Sequence, residues 1–130
     1  MASIEDARRR TGYDVTEATV DTVLSALRAA EPPTPDAGVV WWLYAGRKPR
    51  TPYLVAGLRG AQGSLVWHEN GETYLPADGR GEEPVDYFSL QGAHFPQPPG
   101  SEVPAEDVLR AVRELCESRL RPAGISWKLA

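Results

Sequence analysis

Cysteine is almost missing from this chain: Cys116 is the only one in 130 residues. No internal disulfide can form, which suits a reducing compartment. Zinc sites built on cysteine pairs are excluded, as is the His/Cys/Cys set of the zinc deaminases. Histidine is nearly as scarce. His68 and His94 stand in no H-x-x-x-H spacing, and Cys116 falls on the apolar face of a predicted helix, where packing explains it better than ligation. No metal and no cofactor are expected. Long apolar runs are also missing. The longest, Ala37 to Ala45, is about half of the ~20 residues that cross a bilayer. Met1 is followed by ASIEDARRR and no secretory apolar segment. A cytoplasmic protein that does not engage membranes is expected. Finally, there is no basic excess. The net charge is −4 and the isoelectric point about 5.2, so direct nucleic-acid binding is not expected.

Catalytic signatures are absent too. No G-x-S-x-G elbow occurs, and no glycine-rich loop opens a helix. Glycines 57, 60 and 63 and the Gly63-Ser64 pair read as hairpin turn residues, and His68 as a solvated strand end. Glu82, Glu83 and Asp86 lie close together, but in a loop flanked by glycine and proline, where burial cannot easily split two carboxyl pKa values. The chain is therefore read as a non-enzyme.

What is present describes one globular domain over residues 1–130: 42% hydrophobic, 25% charged, with 12 prolines punctuating the periodic segments. Residues 1–12, with Arg8, Arg9 and Arg10, read as a frayed helix or a loose tail, and a strand or loop follows near Tyr13–Val15. Val20, Val23, Leu24 and Leu27 repeat at helical spacing over 19–30, with Thr16 or Thr19 as cap and Pro32-Pro33 as stop. Val39–Tyr44 reads as a buried strand. Strands follow at 53–59, 64–69 and 72–75, joined by Gly60–Gly63 and by Asn70-Gly71, the strongest hairpin signal in the chain. Val85–Gln91 reads as a fifth strand and 92–103 as a proline-rich connector. A second helix is predicted to start at Pro104, with Val108, Leu109, Val112, Leu115 and Cys116 on one face. Its other face carries the i,i+4 pairs Glu106–Arg110, Arg110–Glu114 and Arg113–Glu117, and a short strand closes the chain at 125–129. The expectation is α+β: a mostly antiparallel sheet of about five or six strands with two main helices packed on one face.

Charge is unevenly spread. Between Glu69 and Asp86 six acids face Arg80 alone, a net of −5, and the rest of the chain sums to +1. The two readings of this stretch are a solvated loop and a negative recognition surface. On the second, Glu69, Glu72, Asp78, Glu82, Glu83 and Asp86 supply the charge and Trp67, Tyr74 and Tyr87 the aromatic contacts. Trp67 reads as the most exposed aromatic because acids follow it. Trp41 and Trp42, as strand neighbours, point to opposite faces.

The second half of the chain carries a resemblance. Tyr87-Phe88, then Phe95-Pro96, then the helix led by Glu102-Val103-Pro104, the Arg121-Pro122 turn and the closing Ile125-Ser126-Trp127 follow one another in order. This pattern resembles the first-numbered immunity-protein family of bacterial polymorphic toxin systems, common in actinobacteria. Together with the upstream hairpins the likeness covers roughly residues 39–128. Residues 1–18 depart from it. The resemblance implies a partner, a cognate protein toxin made by the same cell, often a deaminase acting on nucleic acid. It carries over no catalytic residue, and a monomer or weak dimer is expected. The competing readings are a small-ligand or peptide-binding module using the Trp-rich sheet, a secretion adaptor for an effector, and a hydrolase using the acidic loop.

Overall fold

A computed structural model describes residues 12–14 (as backbone), 19–46, 48 and 50–130. The readings of the arginine run and of Thr16 lie outside the described residues. Gly12, assigned to the tail, instead opens the first strand.

Local chemistry sets the central meander. Strands β2 (Gly38–Tyr44), β3 (Tyr53–Arg59), β4 (Gln62–Glu69) and β5 (Glu72–Pro76) run antiparallel in order. The β3–β4 turn is only Gly60-Ala61, with Gly60 at φ 61°, the position where a II′ turn wants glycine. Asn70 and Gly71 both take positive φ, 52° and 78°, as a I′ turn requires.

Short strands finish the sheet. Strand β8 (Trp127–Leu129) pairs with β5 and ends the path β2-β3-β4-β5-β8. One edge of β2 is shared by two parallel strands. β1 (Gly12–Asp14) takes Trp42–Tyr44, and β6 (Tyr87–Phe88) takes Gly38–Val39. One edge of β4 is shared likewise: β7 (Glu102–Pro104) takes Gln62–Ser64 and β5 takes Trp67–Glu69. The class is the expected α+β, with a mostly antiparallel sheet.

Both helices lie on one face. Helix α1 (Val20–Ala29) is capped by Thr19, whose hydroxyl accepts the Thr22 N–H at 3.2 Å, and it buries Val23, Leu24 and Leu27. Helix α2 (Ala105–Ser118) buries Val108, Ala111, Val112 and Leu115. Pro104 is its N-cap and not its first residue, and Arg119 closes it at φ 60°. Among the i,i+4 pairs expected on its outer face, Arg110 reaches Asp107 instead, and Glu114 accepts the Gly124 N–H at 2.9 Å. Beneath the helices lie Trp41, Leu43, Leu54, Leu65 and Trp67. Among the described residues no helix is long and apolar enough to cross a membrane.

The opposite face has its own small core: Val40, Trp42, Val55, Val66, Leu75 and Tyr87, with Phe95 set edge-on to Trp42 at 4.8 Å. Its cover is segment 85–97. The fifth strand expected there is reduced to the two residues of β6. The remainder is a strap folded on itself by the bridges Val85–Gln97 and Phe88–His94. A tight reversal follows Phe88: Ser89 N–H donates to the Ala93 carbonyl at 2.8 Å, Gly92 N–H to the Ser89 carbonyl at 2.9 Å, and Gly92 turns at φ 88°, so the strand stops there. The expected connector ends instead in β7.

Truncating the centre of the helix-side core tests this packing. Leu115→Ala should lower stability by about 2–5 kcal/mol, read from the urea midpoint. Leu129→Ala, at a residue 59% exposed, should shift it by less than about 0.5 kcal/mol.

Candidate partner-binding surface

The site is built up from a buried tyrosine. Tyr87 of β6 lies flat over β2 and β3, and its ring takes the space of two missing side chains. A Cβ on Gly38 would sit 2.3 Å from the ring and one on Gly57 2.6 Å. Gly57 is thus a strand residue under a ring, not the turn residue expected. Gly63 is also inside a strand, where a Cβ would meet Val108 of α2 at 2.6 Å. Only Gly60 of the three makes the turn.

The Tyr87 hydroxyl donates to Glu102 Oε2 at 2.9 Å. Arg59, at the end of β3, grips the same carboxylate with both prongs, Nε to Oε2 at 2.9 Å and Nη2 to Oε1 at 2.7 Å. Glu102 itself is only 7% exposed. Burial alone would raise its pKa, but the hydrogen bonds from Arg59 and Tyr87 outweigh burial and hold it below the ordinary carboxylate value. Burial, reinforced by the bond to Glu102, pushes the Tyr87 phenol far up. The bond to Glu102 pushes the Arg59 guanidinium up as well. The trio is therefore a fixed ion pair with a neutral phenol at neutral pH.

This hub anchors the acidic loop at both ends. Arg80 N–H donates to the Glu102 carbonyl at 2.8 Å, and Gly100 N–H to Gly81 at 3.0 Å. At the other end Gly38 N–H donates to the Asp86 carbonyl at 3.0 Å. Between these ties Glu82, Glu83 and Asp86 are exposed and line a concavity with Asp36 and Arg59. The Asp86 carboxylate pairs with His94 Nε2 at 2.8 Å.

The predicted surface residues do not all share this place. Glu69 and Glu72 face each other across the β4–β5 hairpin, beside Tyr53 and His68. Asp78 and the 82–86 acids follow the far end of β5, a strand of five residues and so about 17 Å long. The acids therefore form two patches. Two aromatics are corrected. Trp67 is 1% exposed, and the neighbouring acid that suggested exposure is its half-buried partner: Trp67 Nε1 donates to Glu69 Oε1 at 2.8 Å. Tyr87 is 0% exposed because it is the hub. Tyr74 is half-buried, with the Arg121 guanidinium 4.8 Å from its ring centre. His68 is not a solvated strand end. It stacks on Tyr53 at 4.6 Å and meets Thr73 Oγ1 at 3.3 Å. Burial, then Glu117, pushes the half-buried Cys116 thiol up, away from the reactive thiolate. Among the described residues no group of three His, Cys, Asp or Glu could hold a metal ion. Sequence reasoning missed Asp36, Arg59 and Glu102. The one signal was Glu102 opening the E-V-P motif, which marks a position but not a role.

Comparison with family models places the chain among the immunity proteins. The model that matches is Immunity protein Imm1, over residues 13–129, and the chain belongs to that family. The resemblance read from residues 84–128 is thus borne out. No curated protein matches the chain.

The hub sets a pH dependence. The Tyr87 phenol titrates higher folded than unfolded, so its contribution is complete below about pH 10 and falls as pH rises toward its folded value. Glu102 titrates lower folded, so its contribution is complete above about pH 4.3 and falls as pH drops. Tyr87→Phe keeps the ring and removes the phenol. It should cost about 1.5–3 kcal/mol at pH 7 and flatten the loss of stability above about pH 10, both read by urea denaturation.

Proposed function

We propose that this chain binds a cognate protein toxin and keeps it inactive by laying the acidic loop 78–86 over a cationic surface of that toxin. The observation that carries this reading is that Asp78, Glu82, Glu83 and Asp86 are all exposed in a loop tied down at both ends. A toxin that acts on nucleic acid needs a basic cleft to hold phosphates, and a preorganised carboxylate loop complements such a cleft. A deaminase acting on nucleic acid is the toxin class the family resemblance suggests. Glu69, Glu72 and Tyr74 form a second, flanking patch. Trp67 and Tyr87 act from below, the first by holding Glu69 and the second by holding the loop. On this reading the protein works by binding and not by catalysis. It acts in the cytoplasm as a monomer or weak dimer, contacting neither nucleic acid nor membrane.

The test is binding to the product of the gene immediately upstream, together with rescue of cells from its toxicity. Reversing Glu82, Glu83 and Asp86 to lysine should weaken affinity about tenfold or more, mainly by slowing association. The affinity of the unaltered protein should fall as salt rises. Unchanged affinity in the triple variant would place the contact elsewhere.

A further inference from the structure

The acidic loop borders one concavity, and a second shares two of its lining residues. The first, of about 560 Å3, runs along residues 81–86. The second, of about 550 Å3, lies between the end of α1, the β3–β4 turn and the start of α2. Its lining mixes apolar residues, Leu27, Ala30, Pro32, Leu58, Ala105 and Leu109, with the charged Arg28. Asp36 and Arg59 line both. Taken as one trough across that shared border, they offer apolar residues and Arg28 at the helix end and carboxylates at the loop end.

Within this trough the carboxylates of Asp36, Glu82, Glu83 and Asp86 outnumber the two cations, Arg28 and Arg59. Arg59 sits at the divide, but both prongs of its guanidinium are taken by Glu102. Among the described residues Asp36, Glu82 and Glu83 have no ion-pair partner. Asp36 also stands where a glycine would be more comfortable. It follows Pro35 in a turn closed by Ala37 N–H to the Thr34 carbonyl at 3.4 Å, and its φ is 67°. This is the type II pattern, whose third residue needs positive φ. The chain thus carries a strained carboxylate at the junction of the apolar and anionic halves.

We infer that this trough receives a segment of the toxin in which an apolar side chain stands next to lysine or arginine. The apolar group seats between α1 and α2, and the cations meet Asp36, Glu82, Glu83 and Asp86. The inference rests on the immunity reading above and narrows it from a charged loop to a two-part groove. Charge selects the occupant. Phosphates of nucleic acid and anionic lipid are repelled by four carboxylates, and a purely apolar ligand leaves them unmatched.

The experiment measures affinity for the purified product of the upstream gene by calorimetry, with thermal melts of every variant. Asp36→Gly relieves the turn and removes the carboxylate, so its melting temperature should rise while its affinity drops about fivefold. Opposite movement of the two readouts separates a binding role from a structural one. Ala105→Tyr fills the apolar end without changing charge and should weaken binding about tenfold. Glu83→Lys should do the same from the anionic end. Leu120→Arg, away from the trough and from both acidic patches, should stay within about twofold. Unchanged affinity in Asp36→Gly and Ala105→Tyr, with Glu83→Lys weakened, would overturn the trough and leave the acidic-loop reading standing. If Ala105→Tyr does not fold, Asp36→Gly alone decides. No binding and no rescue by the unaltered protein would overturn both.

Discussion

One carboxylate, that of Glu102, carries the architecture of the sheet's second face. It accepts from Arg59 on β3 and from Tyr87 on β6, while its own backbone belongs to β7. Three segments distant in sequence are thus fixed to one point. Burying a charge is costly, and the cost is offset here because every donor around it is itself oriented by a strand. The arrangement has little tolerance for half measures. Removing Glu102 strands a partly buried guanidinium, and removing Arg59 leaves a buried anion. The phenol is tolerated in this place only because it stays neutral. Gly38 and Gly57 complete the constraint, since no other residue lets the Tyr87 ring lie so close to the two strands.

The surface inherits its rigidity from that point. A flexible acidic loop would lose conformational entropy on every encounter, while one tied at residues 80, 81 and 86 has lost most of it in folding. Arg59 links the two levels. Its charge is spent on Glu102 below, which leaves the carboxylates above it unneutralised. The polar interior and the anionic exterior are thus two sides of one residue. Glu82, Glu83 and Asp86 stand exposed as a negative stretch in a chain whose net charge is only −4.

Legibility in the sequence followed the range of the interactions. The Asn70-Gly71 and Gly60 turns and the stripe of α1 were readable because each depends on a few neighbouring residues. Helix α2 was readable too, though its start was off by one because proline serves equally as cap. The strap was read as a strand to residue 91 because the reversal over residues 89–93 carries little local signal beyond Gly92. Trp67 was misread because an adjacent acid suggests solvent, when here Glu69 turns back to satisfy the indole. The roles of Gly57, Arg59, Asp36 and Glu102 were not legible at all. Each depends on a partner from another strand or loop, and no local pattern announces such a meeting. The family was recognisable from residues 84–128, since an ordered set of motifs survives without any knowledge of contacts.

The hub also orders events in time. Arg59 and Glu102 are 43 residues apart, and the Tyr87 ring can be seated only on a completed β2–β3 hairpin. Closing so long a loop costs entropy before any contact repays it, so the meander and its turns form early and the hub late. The acidic loop and the groove beside it acquire their shape in that last step. If that loop is the binding face proposed above, a nascent or partly folded chain displays no competent surface, and the protein acts only as a finished molecule.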